Sequence, residues 1–254
     1  MRAAVFNGPG DIRIEQVPDP RIEEPTDAIV RITHTGICGS DLWFYRGDQE
    51  YEAGWRTGHE PMGVVEEVGS EVRHVKPGDF VIAPFAISDG TCEFCRKGLH
   101  TVCANGRFWA QDLDGAQGEA VRAPLADGTL VRIPERVEDD EKLLAALFPL
   151  TDVMATGHHA AKCAGVGEGS TCVVIGDGAV GLCGVLAARR LAAERIIAVG
   201  HHTDRLEIAR GFGATHVISS RGEEATGEIM ELTGGGADHV LECVGAAASM
   251  DQAI

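Results

Sequence analysis

The chain has 254 residues, 44% of them hydrophobic, with 22 basic against 39 acidic side chains and a formal net charge of −17. That length and apolar content allow two ordinary domains with real cores, and the acidic surplus argues against nucleic acid or an anionic membrane surface as partner. The N-terminal stretch MRAAVFNGPGDIRIEQV has no apolar core of signal-peptide length and no later apolar run could span a bilayer. A cytoplasmic protein is therefore expected, whose eight cysteines serve as metal ligands or small buried residues and not as disulfides.

Up to about residue 135, short β-type runs alternate with Gly, Pro and Asp turns: AAVF, DIRIEQV, DAIVRIT, GVVEEVG, GDFVIAP and GEAVRAP. The pattern predicts an all-β, barrel-like first domain. Two chemically suggestive residues lie at edges of these runs, Cys38 in GICGSDLWFYRG and His59, followed by Glu60, in GHEPMGVVEEVG. Either alone reads as a packed side chain. Together, in glycine-flanked segments of a chain that also carries a dinucleotide-type turn, they suggest a metal site.

The first domain has one large irregular insertion, SDGTCEFCRKGLHTVC, which suits a loop held by metal instead of by a core. Cys92 and Cys95, with Cys103 eight residues on, can converge on one zinc ion without other structure. A closed structural site needs four ligands, and Asp89 completes a regular spacing of 89, 92 and 95. A mixed site of one carboxylate and three thiolates should hold zinc less tightly than four thiolates. The alternative is that Asp89 serves only the SDG turn.

From Leu143 onward the texture changes to Ala- and Gly-rich βαβ units, with strands TCVVIG, RIIAVG, THVISS and HVLECVG. The sequence thus reads as an α/β domain, 149–254, following a β domain, 1–148. AVGLCGVLAARRLAA is a strong helix former between the first two strands. Asp204 followed by Glu207 gives a capping-box cue for the next helix, with Gly213 as its terminator. Cys163, Cys172, Cys183 and Cys243 are expected in the core.

TCVVIG runs directly into GDGAVG, so Gly176, Gly178, Ala179, Val180 and Gly181 form a G-x-G-x-x-G turn between strand and helix. Such a turn brings bare backbone and a helix N-terminus to a pyrophosphate. An NAD-specific version places an acidic residue at the end of the second strand. This chain has Gly200 there, followed by HHTDR, so His201, His202 and Arg205 are positioned for a 2′-phosphate and NADP is expected over NAD.

GICGSD, GHEPMGVVEEVG, the cysteine loop, TDVMATGHHAA and VVIGDGAVG, in this order, resemble the zinc-dependent alcohol dehydrogenases of the medium-chain dehydrogenase/reductase superfamily. The resemblance covers essentially the whole chain. It implies a GroES-like β-barrel catalytic domain followed by a Rossmann-type doubly wound coenzyme domain. It also implies a catalytic zinc held by Cys38, His59 and Asp152, and a structural zinc held by Asp89, Cys92, Cys95 and Cys103. Glu60 would be a neighbouring exchangeable group. Ser40 would take the substrate proton, while Trp43 stands where some members carry a relay histidine. The implied reaction is zinc-assisted hydride transfer between an alcohol, or its carbonyl counterpart, and NAD(P).

The sequence stops at VGAAASMDQAI, just after the fourth coenzyme-domain strand, so the coenzyme domain is expected to be C-terminally incomplete. The family's remaining strands complete the nicotinamide pocket and supply edge contacts, so the full-length protein is expected to be a homo-oligomer. Two rival readings are a zinc-free quinone or enone reductase, which has no use for Cys38, His59 and Asp152 together, and a catalytically silent zinc- and nucleotide-binding fragment. Among the tryptophans, Trp109 is expected to line the pocket.

Overall fold

The computed structural model describes residues 1–134 and 140–254. In chain order it begins with β1 (Arg2–Gly8), β2 (Asp11–Gln16), β3 (Ala28–His34), the short helix α1 (Asp41–Arg46), β4 (Trp55–Arg56), β5 (Met62–Val68) and β6 (Phe80–Ile82). There follow β7 (Ala86–Ile87), α2 (Glu93–Arg96), β8 (Arg107–Phe108), β9 (Ala120–Ala123), α3 (Ala126–Thr129), β10 (Val131–Arg132) and α4 (Glu141–Leu147). All six predicted β-runs of this half form strands.

These strands pair as antiparallel sheets; β1 and β2 are joined by a tight turn, whereas pairs such as β3 with β9 and β6 with β10 are brought together across long connections. One sheet has the order β2-β1-β4, a second β10-β6-β5-β3-β9, and β7 pairs with β8. The sheets are tied where Ala4 N donates to Gln117 O at 2.7 Å, just ahead of β9. Val30, Val65, Val81, Ile87 and Val121 fill the interior together with Trp109. Trp109 is 2% exposed and its Nε1 donates to Pro84 O at 2.9 Å. The expectation that it lines a pocket is therefore corrected: its ring fills the core, and its one polar atom is satisfied there.

The second half contains α5 (Val153–Ala164), β11 (Thr171–Ile175), α6 (Ala179–Arg190), β12 (Arg195–Val199), α7 (Thr203–Phe212), β13 (His216–Ile218), α8 (Gly222–Thr233), β14 (His239–Glu242) and α9 (Ala247–Ala253). Its sheet is wholly parallel, in the order β13-β12-β11-β14. Successive residues of β11 feed opposite cores. Cys172 and Val174 meet Ala161 of α5, Val185 of α6 and Leu206 of α7. Val173 and Ile175 meet Ala225 and Ile229 of α8. Burial on both faces explains why TCVVI is continuously apolar and not alternating. With helices on both faces and strand order 3-2-1-4, the sheet is of the doubly wound type.

The chain divides into two compact units, Met1–Asp152 and Val153–Ile254. Among the described residues no helix is long and apolar enough to cross a membrane. Two local expectations are corrected. Helix α7 starts at Thr203 with His202 as N-cap, so Asp204 lies in its first turn and no capping box forms; Gly213 does terminate it, at φ +119°. Cys163 is exposed at the end of α5, whereas Cys172 and Cys183 are buried.

Candidate metal and coenzyme sites

The loop after β3 carries Cys38, the segment before β5 carries His59 and Glu60, and the turn after Phe148–Thr151 carries Asp152. Although far apart in sequence, these four side chains bring one potential ligand atom each to within 4.8 Å of one another. Cys38 is fixed by a reciprocal turn, its N–H donating to Asp41 Oδ2 at 2.9 Å and its carbonyl accepting from Asp41 N at 3.1 Å. Thr151 O accepts from Phe85 N at 3.2 Å and anchors the segment that presents Asp152. Gly36 leaves room for Glu60, since a Cβ there would stand 1.8 Å from Glu60 Oε2.

Asp152 Oδ2 lies 3.6 Å from Cys38 Sγ and 3.2 Å from His59 Nε2. Tetrahedral zinc with ordinary bond lengths requires about 3.6 Å between sulfur and oxygen and about 3.3 Å between nitrogen and oxygen. The donors therefore fit the ion. On the far side of the imidazole, Asp41 Oδ1 lies 3.5 Å from His59 Nδ1, the arrangement that fixes a ligating histidine's ring and tautomer. Burial lowers the affinity of His59 for a proton, but hydrogen bonds to Asp152, Asp41 and Cys38 outweigh it and lift the pKa to about 12. Acceptors on both sides of the ring therefore favour positive charge at this position. Burial, followed by the charge of Asp152, raises Glu60 above the usual carboxylate range.

The cysteine loop forms a second convergence, with ligand atoms of Asp89, Cys92, Cys95 and Cys103 within 4.8 Å of one another. Cys92 Sγ and Cys103 Sγ are 3.8 Å apart, against about 3.8 Å expected for two thiolates on tetrahedral zinc. Cys92 caps α2, its sulfur accepting from Cys95 N at 3.5 Å. Backbone N–H groups of Cys95 and Ala104 lower the Cys92 pKa, whereas burial and then the neighbouring ligands raise that of Cys95.

Asp89 has two engagements here. Its Oδ1 accepts from Thr91 N at 2.7 Å and Cys92 N at 2.8 Å, and its Oδ2 accepts from Asn105 Nδ2 at 2.8 Å. The backbone bonds hold its carboxyl well below the usual range. Oδ1 is thus saturated by the turn, while Oδ2 keeps one lone pair. Asp89→Asn retains the turn acceptor and removes the anionic donor. It is expected to weaken zinc retention against a chelator by about tenfold or more; unchanged retention would assign Asp89 to the turn alone.

In the second unit the three glycines of GDGAVG each meet a separate demand. Gly176 has φ +116°, a conformation that turns the chain at the end of β11. Gly178 is the N-cap of α6, and a Cβ there would meet nothing within 4 Å, which leaves open space in front of the helix N-terminus. At Gly181 a Cβ would stand 1.9 Å from Gly176 O, so helix and turn pack at a distance open only to glycine. These are the geometries a dinucleotide-binding turn uses. Ala179 and Val180 form the first residues of α6. A groove of about 520 Å³ opens here, lined among others by Gly178, Gly200, His201, His202 and Arg205.

Sequence reasoning missed Asp177, the second residue of the turn. It is 7% exposed, and its Oδ2 accepts from His201 N and His202 N, both at 2.8 Å. The His202 ring Nδ1 lies 3.0 Å away and Arg205 Nη1 3.7 Å away. Burial opposes its charge, but these bonds to His202 and His201 bring its pKa down to about 2. Asp177, His201 and His202 also bring potential ligand atoms within 4.8 Å, yet the carboxylate is already satisfied by N–H donors and reads as a hydrogen-bonded anchor. The available signal was a carboxylate inside the glycine turn of a chain lacking one at position 200. Asp41 was likewise overlooked, although it sits three residues after Cys38.

The fold and these sites define a two-domain, zinc-binding dehydrogenase class that takes a nicotinamide coenzyme. Residues 24–135 match the model of the alcohol dehydrogenase GroES-like domain, and residues 179–254 match that of zinc-binding dehydrogenases. The chain is 39% identical over 254 residues to zinc-type alcohol dehydrogenase B of Aspergillus flavus, covering 96% of this chain and spanning 58% of that relative's length. The solved alcohol dehydrogenase of Thermus sp. ATN1 superposes with a TM-score of 0.89 at 34% identity, covering 100% of this chain and 73% of the other. A zinc-binding dehydrogenase from Sinorhizobium meliloti, solved bound to NADP, gives 0.81 at 28% identity, covering 99% and 72%. The chain belongs to the zinc-dependent alcohol dehydrogenases of the medium-chain superfamily.

Proposed function

We propose that the protein is a zinc-dependent oxidoreductase that passes hydride between an alcohol, or its aldehyde or ketone, and a nicotinamide coenzyme, with NADP(H) preferred over NAD(H). The observation that carries this reading is the convergence of Cys38, His59 and Asp152 at donor spacings suited to tetrahedral zinc. Zinc held there supplies a Lewis acid for the substrate oxygen. With zinc bound, Cys38 and Asp152 would contribute two negative charges and His59, its proton displaced by the ion, none, so the ligand set would balance the divalent ion and leave one position for substrate.

Ser40 is the N-cap of α1 and makes no side-chain capping bond, so its hydroxyl is available to take the substrate proton. Trp43, 50% exposed, brings no proton-accepting group beyond it. Glu60 is held against the cluster as a buried neighbour of the metal. The Asp89, Cys92, Cys95 and Cys103 set serves a structural zinc, and cysteines used as metal ligands suit a reducing, cytoplasmic setting.

The turn from Gly176 to Gly181 receives the pyrophosphate at the N-terminus of α6. Gly200 offers no carboxylate to the adenosine ribose, while the Arg205 guanidinium and the N–H groups of His201 and His202 are donors suited to a 2′-phosphate. Two zinc ions per chain are expected by elemental analysis, together with a kcat/KM at least about tenfold higher with NADP than with NAD. One ion or none would remove a proposed metal site, and a preference for NAD would overturn the coenzyme assignment.

A further inference from the structure

The groove at the end of β12 contains a buried anion beside the side chains assigned to the coenzyme. Asp177 comes from the glycine turn, yet its side chain fills the space a residue at the end of β12 would occupy. A Cβ on Gly200 would stand 2.4 Å from Asp177 Cβ and 2.6 Å from its Oδ2. Glycine at 200 is thus the counterpart of aspartate at 177. The carboxylate missing from the strand end is supplied from the neighbouring turn.

Its contacts all lead to the groups that face the groove. Oδ2 accepts the N–H of His201 and of His202, the N-cap of α7, at 2.8 Å each. Its oxygens lie 3.0 and 3.1 Å from His202 Nδ1, and Oδ1 lies 3.7 Å from Arg205 Nη1. Both side chains remain accessible, His202 being 42% and Arg205 46% exposed. A phosphate arriving at this turn would therefore meet the Arg205 guanidinium, the His202 ring and N–H groups already engaged by an internal anion. A ribose without that phosphate would meet no such competition.

We propose that Asp177 is a specificity-setting residue that moderates the preference for NADP, by competing with the 2′-phosphate for His202, Arg205 and the N–H groups at the start of α7. The inference rests on the coenzyme reading above, in which the 2′-phosphate is received by these residues. Asp177 acts through its neighbours and is a positioning residue. A purely structural role would change the affinity for both coenzymes together. The competition changes their ratio.

The test is calorimetric binding of NADP and of NAD to the purified protein, without turnover. Asp177→Asn keeps an oxygen for the two N–H groups and removes the charge. It is expected to raise the ratio of NADP to NAD affinity by roughly fivefold or more, with the affinity for NAD little changed. A ratio that stays the same or falls would overturn the proposal. Asp177→Ser, smaller and also neutral, provides the same comparison if the asparagine variant does not fold. Arg205→Ala separates the two readings, because it should lower the ratio if the 2′-phosphate binds here. If it does not, the coenzyme reading fails whatever Asp177→Asn does.

Discussion

Cys38→Ser is expected to lower alcohol turnover by on the order of 10³-fold while leaving the dissociation constant for coenzyme unchanged. The serine hydroxyl has nearly the shape of the thiol but is not an anion at neutral pH. The site then offers Asp152 and His59 as the remaining zinc donors of the trio, and one negative charge fewer against the divalent ion. Elemental analysis should show the loss of one zinc per chain, with the other retained by the cysteine loop. Because Cys38 and the coenzyme turn belong to separate units, coenzyme affinity reports whether the second unit remains folded. Wild-type turnover in this variant would refute the assignment of Cys38 as a ligand.

Gly181→Ala and Gly178→Ala should separate two effects within one turn. At position 181 the new methyl would collide with backbone atoms, 1.9 Å from Gly176 O and 2.8 Å from Gly176 C, so the helix or the turn must shift. A loss of about 1–3 kcal/mol is expected, with coenzyme binding weakened by about tenfold or more because the N-terminus of α6 moves. At position 178 the methyl meets nothing and the backbone, at φ −75°, accepts alanine. Thermal stability should therefore hold, while coenzyme binding weakens because the methyl occupies the approach of the pyrophosphate. Unchanged coenzyme affinity in both variants would remove the turn from the binding site.

How legible each feature was depended on the range of the interactions that create it. The longer strands were readable because burial imposes a pattern on consecutive residues: β11 to β14 fall within the expected runs, and β1, β3 and β5 overlap theirs with ends displaced by one or two residues. The two-residue strands β4, β7, β8 and β10 carry no period, and pairing with distant partners defines them. The start of α7 was misplaced for a related reason. Asp204 looked like a cap by local spacing, but Asp177, 25 residues earlier than His202, takes the N–H of the residue that caps the helix.

The sequence by itself determined the two-domain order, the cysteine loop and the glycine turn, because each is a short motif whose chemistry is complete within a few residues. The family resemblance named Asp152 with Cys38 and His59, but only the tertiary structure showed these residues, separated by 114 and 93 positions, at zinc-ligand spacing. It alone showed that Trp109 packs in the core and that Asp177 fills the space left by Gly200. The physical reason is that spacing along a chain fixes only local distances. Which remote groups share a low-dielectric site is decided by the packing of sheets and turns around them.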